Sequence, residues 1–110
     1  MKVLFVCGRN QKRSPTAARL YQGDPRLNVR SAGTSDSSRR RVSEDDLRWA
    51  DLIVVMERKY TARIRAKFPD LDLPRVESLE IPDDYEYMDP ELIDLLRDGV
   101  EQILAASPRD

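Results

Sequence analysis

The chain has 110 residues, the length of one domain, and a hydrophobic content of 40%, enough to bury a core without a metal ion or a disulfide. It contains one cysteine and no histidine. These counts exclude an internal disulfide framework, catalysis by Cys-His or Ser-His-Asp groups, and the common histidine-containing zinc sites. With no apolar run long enough to span a membrane and no signal-peptide cleavage pattern in the first residues, we expect a reduced, cytoplasmic protein with no metal ion and no cofactor.

The charged residues are unevenly distributed, although the net charge is only -1. Residues 1–42 contain ten Lys and Arg against two Asp, and residues 43–110 contain nine Lys and Arg against eighteen Asp and Glu. The basic half favours an anionic ligand. Nucleic acid is the less favoured anion, because no basic stripe with interleaved aromatic residues accompanies the arginines.

The first strand is predicted at residues 2–6, and a loop follows it with the sequence Cys7-Gly8-Arg9-Asn10-Gln11-Lys12-Arg13-Ser14. A helix is predicted at residues 14–22, with Ser14 as its cap and Pro15 as its first residue. A helix N-terminus and a loop around it present backbone N–H groups to an anion. Those groups, with Arg13, favour a charged Cys7 sulfur. The loop therefore predicts a phosphate held against a nucleophilic sulfur.

Three more strands are predicted at residues 28–32, 51–56 and 75–79, and three more helices follow Ser43, Met56 and Asp89. Ser43 and Asp89 are the predicted caps of the helices that follow them. This alternation predicts a single α/β domain over residues 1–110, with a Rossmann-like parallel sheet of four strands and helices on both faces. The Cys7 loop would then lie at the carboxyl end of the first strand, where such sheets bind ligands. From Ser107 onward we expect a frayed tail.

Two further segments have a predicted place in this fold. In the helix after Met56, the residues Tyr60, Ile64 and Phe68 repeat at a spacing of four, which favours packing against the core over contact with a ligand. Residues 34–41 are polar and lack periodicity, which predicts a loop. The arginines at its end, residues 39–41, either form a rim that attracts an acidic phosphopeptide or are an ordinary solvated run.

Four stretches of the chain carry recognisable motifs. They are Val-Cys-x5-Arg-Ser-Pro after the first strand, Ser31-Ala32-Gly33-Thr34, Ala50-Asp51-Leu52-Ile53-Val54-Val55-Met56 and Ile81-Pro82-Asp83-Asp84-Tyr85. In this order they resemble the low-molecular-weight protein tyrosine phosphatases. Cys-x5-Arg alone is a common pattern. The four ordered stretches are more specific, and they cover most of the chain.

The resemblance implies a phosphatase that acts on phosphotyrosine or another aryl phosphate monoester, in a phosphorylated protein or a small molecule. Cys7 would be the nucleophile that forms a phosphocysteine, with Arg13 and the loop amides holding the phosphate. Asp83 matches the family's general acid, but Asp84 replaces the proline that follows it, so the choice between the two stays open. The remaining positions that would bind substrate are Gly8, Arg9, Asn10, Gln11, Lys12 and Ser14.

Two implied roles have structural alternatives. Tyr85 would line the cleft against a phosphotyrosine ring, or it would simply pack within its loop. Ser31 would support the Cys7 loop from behind by a hydrogen bond to Asn10, or it would end an ordinary strand.

The loop departs from the family pattern at two positions. The family reads Cys-x-Gly-Asn, whereas this chain has Gly8 and then Arg9 before Asn10. Asn10 tolerates a left-handed backbone, so we expect the loop to form. Lys12 stands where many relatives carry a second cysteine, so oxidised Cys7 has no internal partner.

The alternative from another functional class is a catalytically weak phosphoprotein-binding module that uses the same loop. An arsenate reductase would need more cysteines, and a cysteine-phosphorylated sugar-transport carrier would have no use for Arg13. No membrane partner is expected. The sequence leaves the physiological substrate and the oligomeric state open.

Overall fold

The computed structural model describes residues 1–106, and the tail predicted from Ser107 lies outside them. Within these residues the strands are β1 (Lys2–Cys7), β2 (Asn28–Gly33), β3 (Leu52–Val55) and β4 (Arg75–Ser78). The helices are α1 (Arg13–Tyr21), α2 (Glu44–Trp49), α3 (Arg58–Lys67) and α4 (Pro90–Ala106). Every element predicted from the sequence is present, with ends that differ by one or two residues.

The four strands form one parallel sheet in the order β2-β1-β3-β4, which confirms the predicted α/β fold. Helix α1 packs on β1 and β2 and also contacts α4, whereas α2 packs on β1 and α3 on β3. Right-handed crossovers place these two pairs of helices on opposite faces of the sheet. The chain leaves β1 toward β2 on one side and returns to β3 on the other. The end of β1 is therefore the point where ligands bind in such sheets.

The core lies around the two central strands. All four residues of β3 are buried, and so is β1 from Val3 to Cys7. This burial on both faces explains why each strand is a continuous apolar run rather than an alternating one. Helix α4 covers the sheet with Leu92, Leu96 and Val100, which are buried at the spacing of one helical face. No helix within residues 1–106 is both long enough and apolar enough to cross a bilayer.

The predicted start of α1 is wrong. The helix begins at Arg13, so Lys12 occupies the cap position, and Lys12 makes no side-chain capping bond. The hydroxyl of Ser14 lies instead 2.9 Å from the sulfur of Cys7 and accepts a hydrogen bond from Asn10. A Ser-Pro pair usually marks the start of a helix. Here the contacts of Ser14 with the loop outweigh the local preference.

The caps predicted for α2 and α4 are confirmed. Ser43 Oγ accepts a hydrogen bond from the Asp46 amide, and the Asp46 carboxylate accepts one from the Ser43 amide, a complete capping box. At the start of α4, Asp89 Oδ1 accepts a hydrogen bond of 2.8 Å from the Glu91 amide. The acceptors satisfy N–H groups that the helices leave without a partner.

Candidate active site

The Cys7 loop connects β1 to α1 and turns at Asn10. Asn10 has a backbone φ of 55°, in the left-handed region that asparagine tolerates better than most residues. Its side-chain amide donates one hydrogen bond to Ser14 Oγ (2.9 Å) and another to Ser31 Oγ (3.0 Å). Of the two interpretations of Ser31, the structure therefore contains the contact that supports the loop. Asn10 and Ser14 are buried behind the loop.

Residues 34–39 run beside the Cys7 loop and fix it through the backbone. Their amides donate to three successive carbonyls of the loop: Thr34 N to Cys7 O (3.1 Å), Ser35 N to Gly8 O (2.8 Å) and Arg39 N to Arg9 O (3.1 Å). The sequence predicts only a polar loop here. Backbone hydrogen bonds between two irregular segments leave no periodic side-chain pattern from which they could have been predicted.

Gly33 allows this close approach. A Cβ atom at Gly33 would lie 2.7 Å from the Gly8 carbonyl oxygen and 2.2 Å from Ser38 Oγ. The Ser38 hydroxyl donates a hydrogen bond of 3.0 Å to the same carbonyl. Gly33 is therefore a sequence signal for some close backbone approach, but it does not reveal which segment makes it.

The sulfur of Cys7 lies 2.9 Å from the hydroxyl oxygen of Ser14. That oxygen accepts the hydrogen bond from Asn10, and the carbonyl of Ala32 lies farther away, at 3.5 Å. The Ser14 hydrogen is thus best placed to point at the sulfur.

The Arg13 side chain is 2% exposed, and hydrogen bonds hold its two Nη atoms. Nη1 donates to Glu57 Oε2 (2.6 Å) and to the carbonyl oxygen of Ile81 (2.7 Å), and Nη2 donates to the Tyr60 hydroxyl (2.6 Å). A guanidinium has five N–H groups. The Nε–H and one N–H of Nη2 are left, and Nε is buried without a hydrogen-bond partner among the described residues.

Arg13 stays protonated and charged despite its burial. Burial alone disfavours the charged form, but the hydrogen bonds to Glu57 and Tyr60 and the charge of Asp83 outweigh it and raise the pKa of Arg13. Burial also disfavours the charged form of Glu57, yet its bonds to Arg13 and Tyr60 lower the pKa of that carboxyl. Arg13 and Glu57 are therefore both ionised, and the unused N–H groups of Arg13 can bind an anion.

Tyr60 corrects an expectation from the sequence. Its ring is buried, as the spacing with Ile64 predicts, but its hydroxyl belongs to the site. The hydroxyl accepts from Arg13 and donates a hydrogen bond of 3.0 Å to Glu57. Helical spacing predicts which face of a helix is buried. It does not reveal which polar groups meet the end of a side chain on that face.

The Cys7 loop opens into a pocket of about 480 Å³. Its lining contains most of the residues predicted for the site, together with Ser35, Tyr60 and Arg63, which the sequence does not predict there. The predicted members that line it are Cys7, Gly8, Arg9, Gln11, Lys12, Arg13 and Asp83. Within residues 1–106, no group of acidic or cysteine side chains is arranged to hold a metal ion.

Asp83 and Asp84 differ in their relation to this pocket. Asp83 lines it, with Oδ1 3.7 Å from Nε of Arg13, whereas Asp84 is not part of the lining. Tyr85 is not part of the lining either. It packs against the core, and burial and nearby carboxylates, first among them Glu91, raise the pKa of its hydroxyl.

The arginines at the end of the 34–41 loop do not reach the pocket. Arg40 is engaged elsewhere: it forms an ion pair with the buried carboxylate of Asp46 and donates a hydrogen bond to the Ser31 carbonyl. The cations that line the pocket come instead from the Cys7 loop and from α3. All three arginines are exposed, as the interpretation of an ordinary solvated run expects, and the rim interpretation is not supported.

No family model and no curated protein matches the chain. Solved structures do. SP-PTP, a low-molecular-weight protein tyrosine phosphatase from Streptococcus pyogenes, matches with a TM-score of 0.80 and 18% identity over 99% of this chain and 94% of that one. YfkJ from Bacillus subtilis matches with a TM-score of 0.68 and 25% identity over 96% and 93%. YwlE arginine phosphatase from Geobacillus stearothermophilus matches with a TM-score of 0.64 and 21% identity over 99% of both chains. The chain therefore has the fold of the low-molecular-weight protein tyrosine phosphatases, the family that its motifs resemble.

Proposed function

We propose that the protein is a phosphatase that hydrolyses phosphotyrosine or another aryl phosphate monoester through a phosphocysteine. The observation that carries the proposal is the free edge of Arg13. Two N–H groups of the charged Arg13 guanidinium, on Nε and Nη2, make no hydrogen bond in the part of the chain described, and Asp83 Oδ1 approaches Nε only to the ion-pair distance of 3.7 Å. These N–H groups belong to the same pocket as Cys7 and Asp83. A buried donor without a partner is costly, and a bound phosphate would satisfy it.

In the first step, the Cys7 thiolate attacks the phosphorus opposite the aryl oxygen. The S–P bond forms as the P–O bond to the leaving group breaks, and Asp83, in its protonated form, gives its proton to the leaving phenolate. Arg13 binds two of the phosphoryl oxygens through Nε and Nη2, and the loop amides bind the oxygens as charge redistributes.

In the second step, water attacks the phosphorus of the phosphocysteine. The Asp83 carboxylate takes a proton from this water, the P–S bond breaks, and phosphate and the Cys7 thiolate are released. The hydrogen bond from Ser14, 2.9 Å from the sulfur, stabilises the thiolate as a leaving group. The cycle needs no metal ion or cofactor to balance.

The names of the matched structures support a phosphatase and suggest two substrate classes to compare. SP-PTP is named as a tyrosine phosphatase and YwlE as an arginine phosphatase. We propose an aryl phosphate for this chain because its four motif stretches resemble those of the tyrosine phosphatases. Asp83 in the pocket can give a proton to a phenolate or to a guanidine leaving group, so it does not choose between the two classes. A phosphoarginine peptide is the comparison substrate.

The test is steady-state hydrolysis of para-nitrophenyl phosphate between about pH 5 and 8, with phosphotyrosine and phosphoarginine peptides as further substrates. We expect Cys7→Ser to be inactive and Asp83→Asn to reduce kcat by about 100-fold or more, as the loss of a general acid should. Asp84→Asn is the matched control, expected to change kcat by less than about threefold. A large loss in Asp84→Asn alone would assign the acid to Asp84.

A second outcome would remove the enzyme proposal. If the wild type hydrolyses none of these substrates, yet inorganic phosphate protects Cys7 from alkylation by iodoacetamide, the loop binds phosphate without turnover. The protein would then be the phosphoprotein-binding module that the sequence leaves as the alternative.

A further inference from the structure

The pocket selects its occupant mainly by charge. Of the residues that line it, the aromatic one is Tyr60, and cations surround its ring. The guanidinium carbon of Arg13 lies 5.5 Å from the ring centroid and that of Arg63 lies 5.4 Å from it, while Nζ of Lys59 lies at 5.5 Å. The ring is thus engaged in cation–π contacts and also packs over Gly8, and it offers the substrate no free face for stacking.

Three cations line the pocket beyond the one needed for the reacting phosphate. Arg9 and Arg63 have no carboxylate partner among residues 1–106. Lys12 is paired with Glu86 at 3.3 Å, but the Glu86 side chain is 82% exposed, and an exposed pair of this kind is weak and easily exchanged. A phosphate monoester held by Arg13 and the loop amides leaves Arg9 and Arg63 without a counter-charge and Lys12 with only this exposed pair.

We propose that the substrate carries a second anionic group, a phosphate or a carboxylate, beside the reacting phosphate, and that Arg9 and Arg63 bind it. The inference deepens the proposed phosphatase function and rests on it. Arg9 comes from the Cys7 loop and Arg63 from α3, and both line the same cavity of about 480 Å³. One molecule can therefore reach Cys7 and both arginines. The second anion replaces the aromatic contact that the pocket lacks.

The shared chemistry has two possible sources, a small phosphate ester with another acid group and a phosphopeptide with an acidic neighbour. For the first source, the probes are 3- and 4-carboxyphenyl phosphate, each compared with its uncharged carbamoyl analogue of nearly the same shape. For the second, the probes are phosphotyrosine peptides with Glu or Gln on either side of the phosphotyrosine. A preference for the charged member in either arm supports the second-anion site and identifies the source.

Binding is measured by calorimetry on Cys7→Ser, so that turnover does not interfere. We expect the charged member to bind about 10-fold more tightly, the effect of one or two charge-assisted hydrogen bonds. In the same background, Arg63→Gln should reduce that ratio to about twofold or less. Arg65→Gln is the matched control, because Arg65 is exposed on the same helix and lies outside the pocket lining. The two variants remove the same charge from the protein. The ratio should also shrink between about 50 and 500 mM salt.

Equal binding of charged and uncharged probes in both arms would overturn the inference. The inference would also fail if Arg65→Gln reduced the affinity ratio of charged to uncharged probe as much as Arg63→Gln does. The preference for the charged probe would then come from the overall charge of the protein and not from a site. Hydrolysis by the wild type distinguishes this failure from failure of the proposed function. Turnover without a charge preference removes only the second-anion site, whereas a charge preference without turnover removes only the phosphatase.

Discussion

Arg13 shows how a buried charge is kept both stable and usable. Burying a guanidinium is costly unless hydrogen bonds and an opposite charge compensate it. Glu57, Tyr60 and the carbonyl of Ile81 supply that compensation on the Nη atoms. The remaining N–H groups are then held in a fixed direction. We infer that Glu57 and Tyr60 are positioning residues that act on the substrate through Arg13.

Tyr60→Phe tests this inference. The change keeps the ring in the core but removes the hydroxyl that accepts from Arg13 and donates to Glu57. Two hydrogen bonds are lost, and the one from Arg13 is the one that bears on the substrate. A hydrogen bond to a charged group is worth about 1.5 kcal/mol, so we expect kcat/KM for para-nitrophenyl phosphate to fall about 10-fold. The loss should appear mainly in KM if Arg13 binds substrate and transition state alike. Tyr87→Phe, at an exposed ring outside the pocket, is the control. An unchanged kcat/KM in Tyr60→Phe would show that the hydroxyl does not position Arg13.

Cys7 also predicts the response to oxidants, because the chain has no second thiol that could form an internal disulfide with it. We expect peroxide to inactivate the enzyme rapidly and, at doses that carry the sulfur to the sulfinic or sulfonic acid, irreversibly. The measurement is residual activity after peroxide and then dithiothreitol, with and without inorganic phosphate in the pocket. Phosphate should protect. Full recovery after such doses would contradict the prediction.

Among the elements, the loop of residues 34–39 is the one whose role sequence reasoning missed. It supports the Cys7 loop from its outer side, and Gly33 makes that contact sterically possible. The Cys7 loop is therefore held between β2 on one side and this segment on the other. A side chain at Gly33 should therefore displace the Cys7 loop, although Gly33 does not line the pocket.

Gly33→Ala tests this arrangement. The added methyl group would lie 2.2 Å from Ser38 Oγ and 2.7 Å from the backbone oxygen of Gly8, so the Cys7 loop would have to move. Overpacking of this kind costs about 1–3 kcal/mol, and we expect the free energy of unfolding to decrease by that amount. Because the Cys7 loop is displaced, kcat/KM should fall at least about 10-fold. Gly23→Ala is the matched control, since a Cβ there meets nothing within 4 Å. Equal behaviour of the two variants would mean that the loop tolerates displacement.

The strands and helices could be predicted because their signals are local. Continuous apolar runs predicted β1 and β3, and Ser43 and Asp89 predicted the caps of α2 and α4. Cys7, Arg13 and Asp83 could be proposed because they sit in short motifs. The contacts of Ser14, Tyr60 and residues 34–39 could not, because each depends on which segments the fold brings together. Arg63 lacked even a motif, since nothing local distinguishes it from the other basic residues of α3.

Across the whole molecule, ion pairs join the basic half of the chain to the acidic half. Among residues 1–106, seven pairs join a cation of residues 1–42 to a carboxylate of residues 43–110: Lys12–Glu86, Arg13–Glu57, Arg13–Asp83, Arg26–Glu101, Arg30–Asp45, Arg30–Asp46 and Arg40–Asp46. The uneven charge of the sequence therefore serves internal pairing as well as attraction of an anion. Exposed pairs of this kind contribute about 1 kcal/mol or less each. The pairs of Arg13 and Asp46 differ because one partner is buried in each.

Asp46 makes stability depend on pH, and Asp46→Asn tests this. Burial disfavours the Asp46 carboxylate, but Arg40 and the Ser43 amide outweigh it and lower its pKa in the folded protein. A group whose pKa is lowered by folding stabilises the fold above its unfolded pKa, about 4 for aspartate, and loses that contribution as the pH falls through the folded pKa. Asn keeps the shape of the side chain but carries no charge, so we expect the free energy of unfolding, measured in urea at pH 7, to fall by about 1–2 kcal/mol. Below about pH 4 the difference in free energy of unfolding between Asp46→Asn and the wild type should narrow, because the wild-type carboxylate becomes protonated and also loses its charge.

Asp45→Asn is the control, at a side chain that is 85% exposed and pairs with Arg30. Its free energy of unfolding should fall by no more than about 0.5 kcal/mol at pH 7. A deficit in Asp46→Asn that stays constant from neutral to acid pH would assign the effect to packing instead of charge.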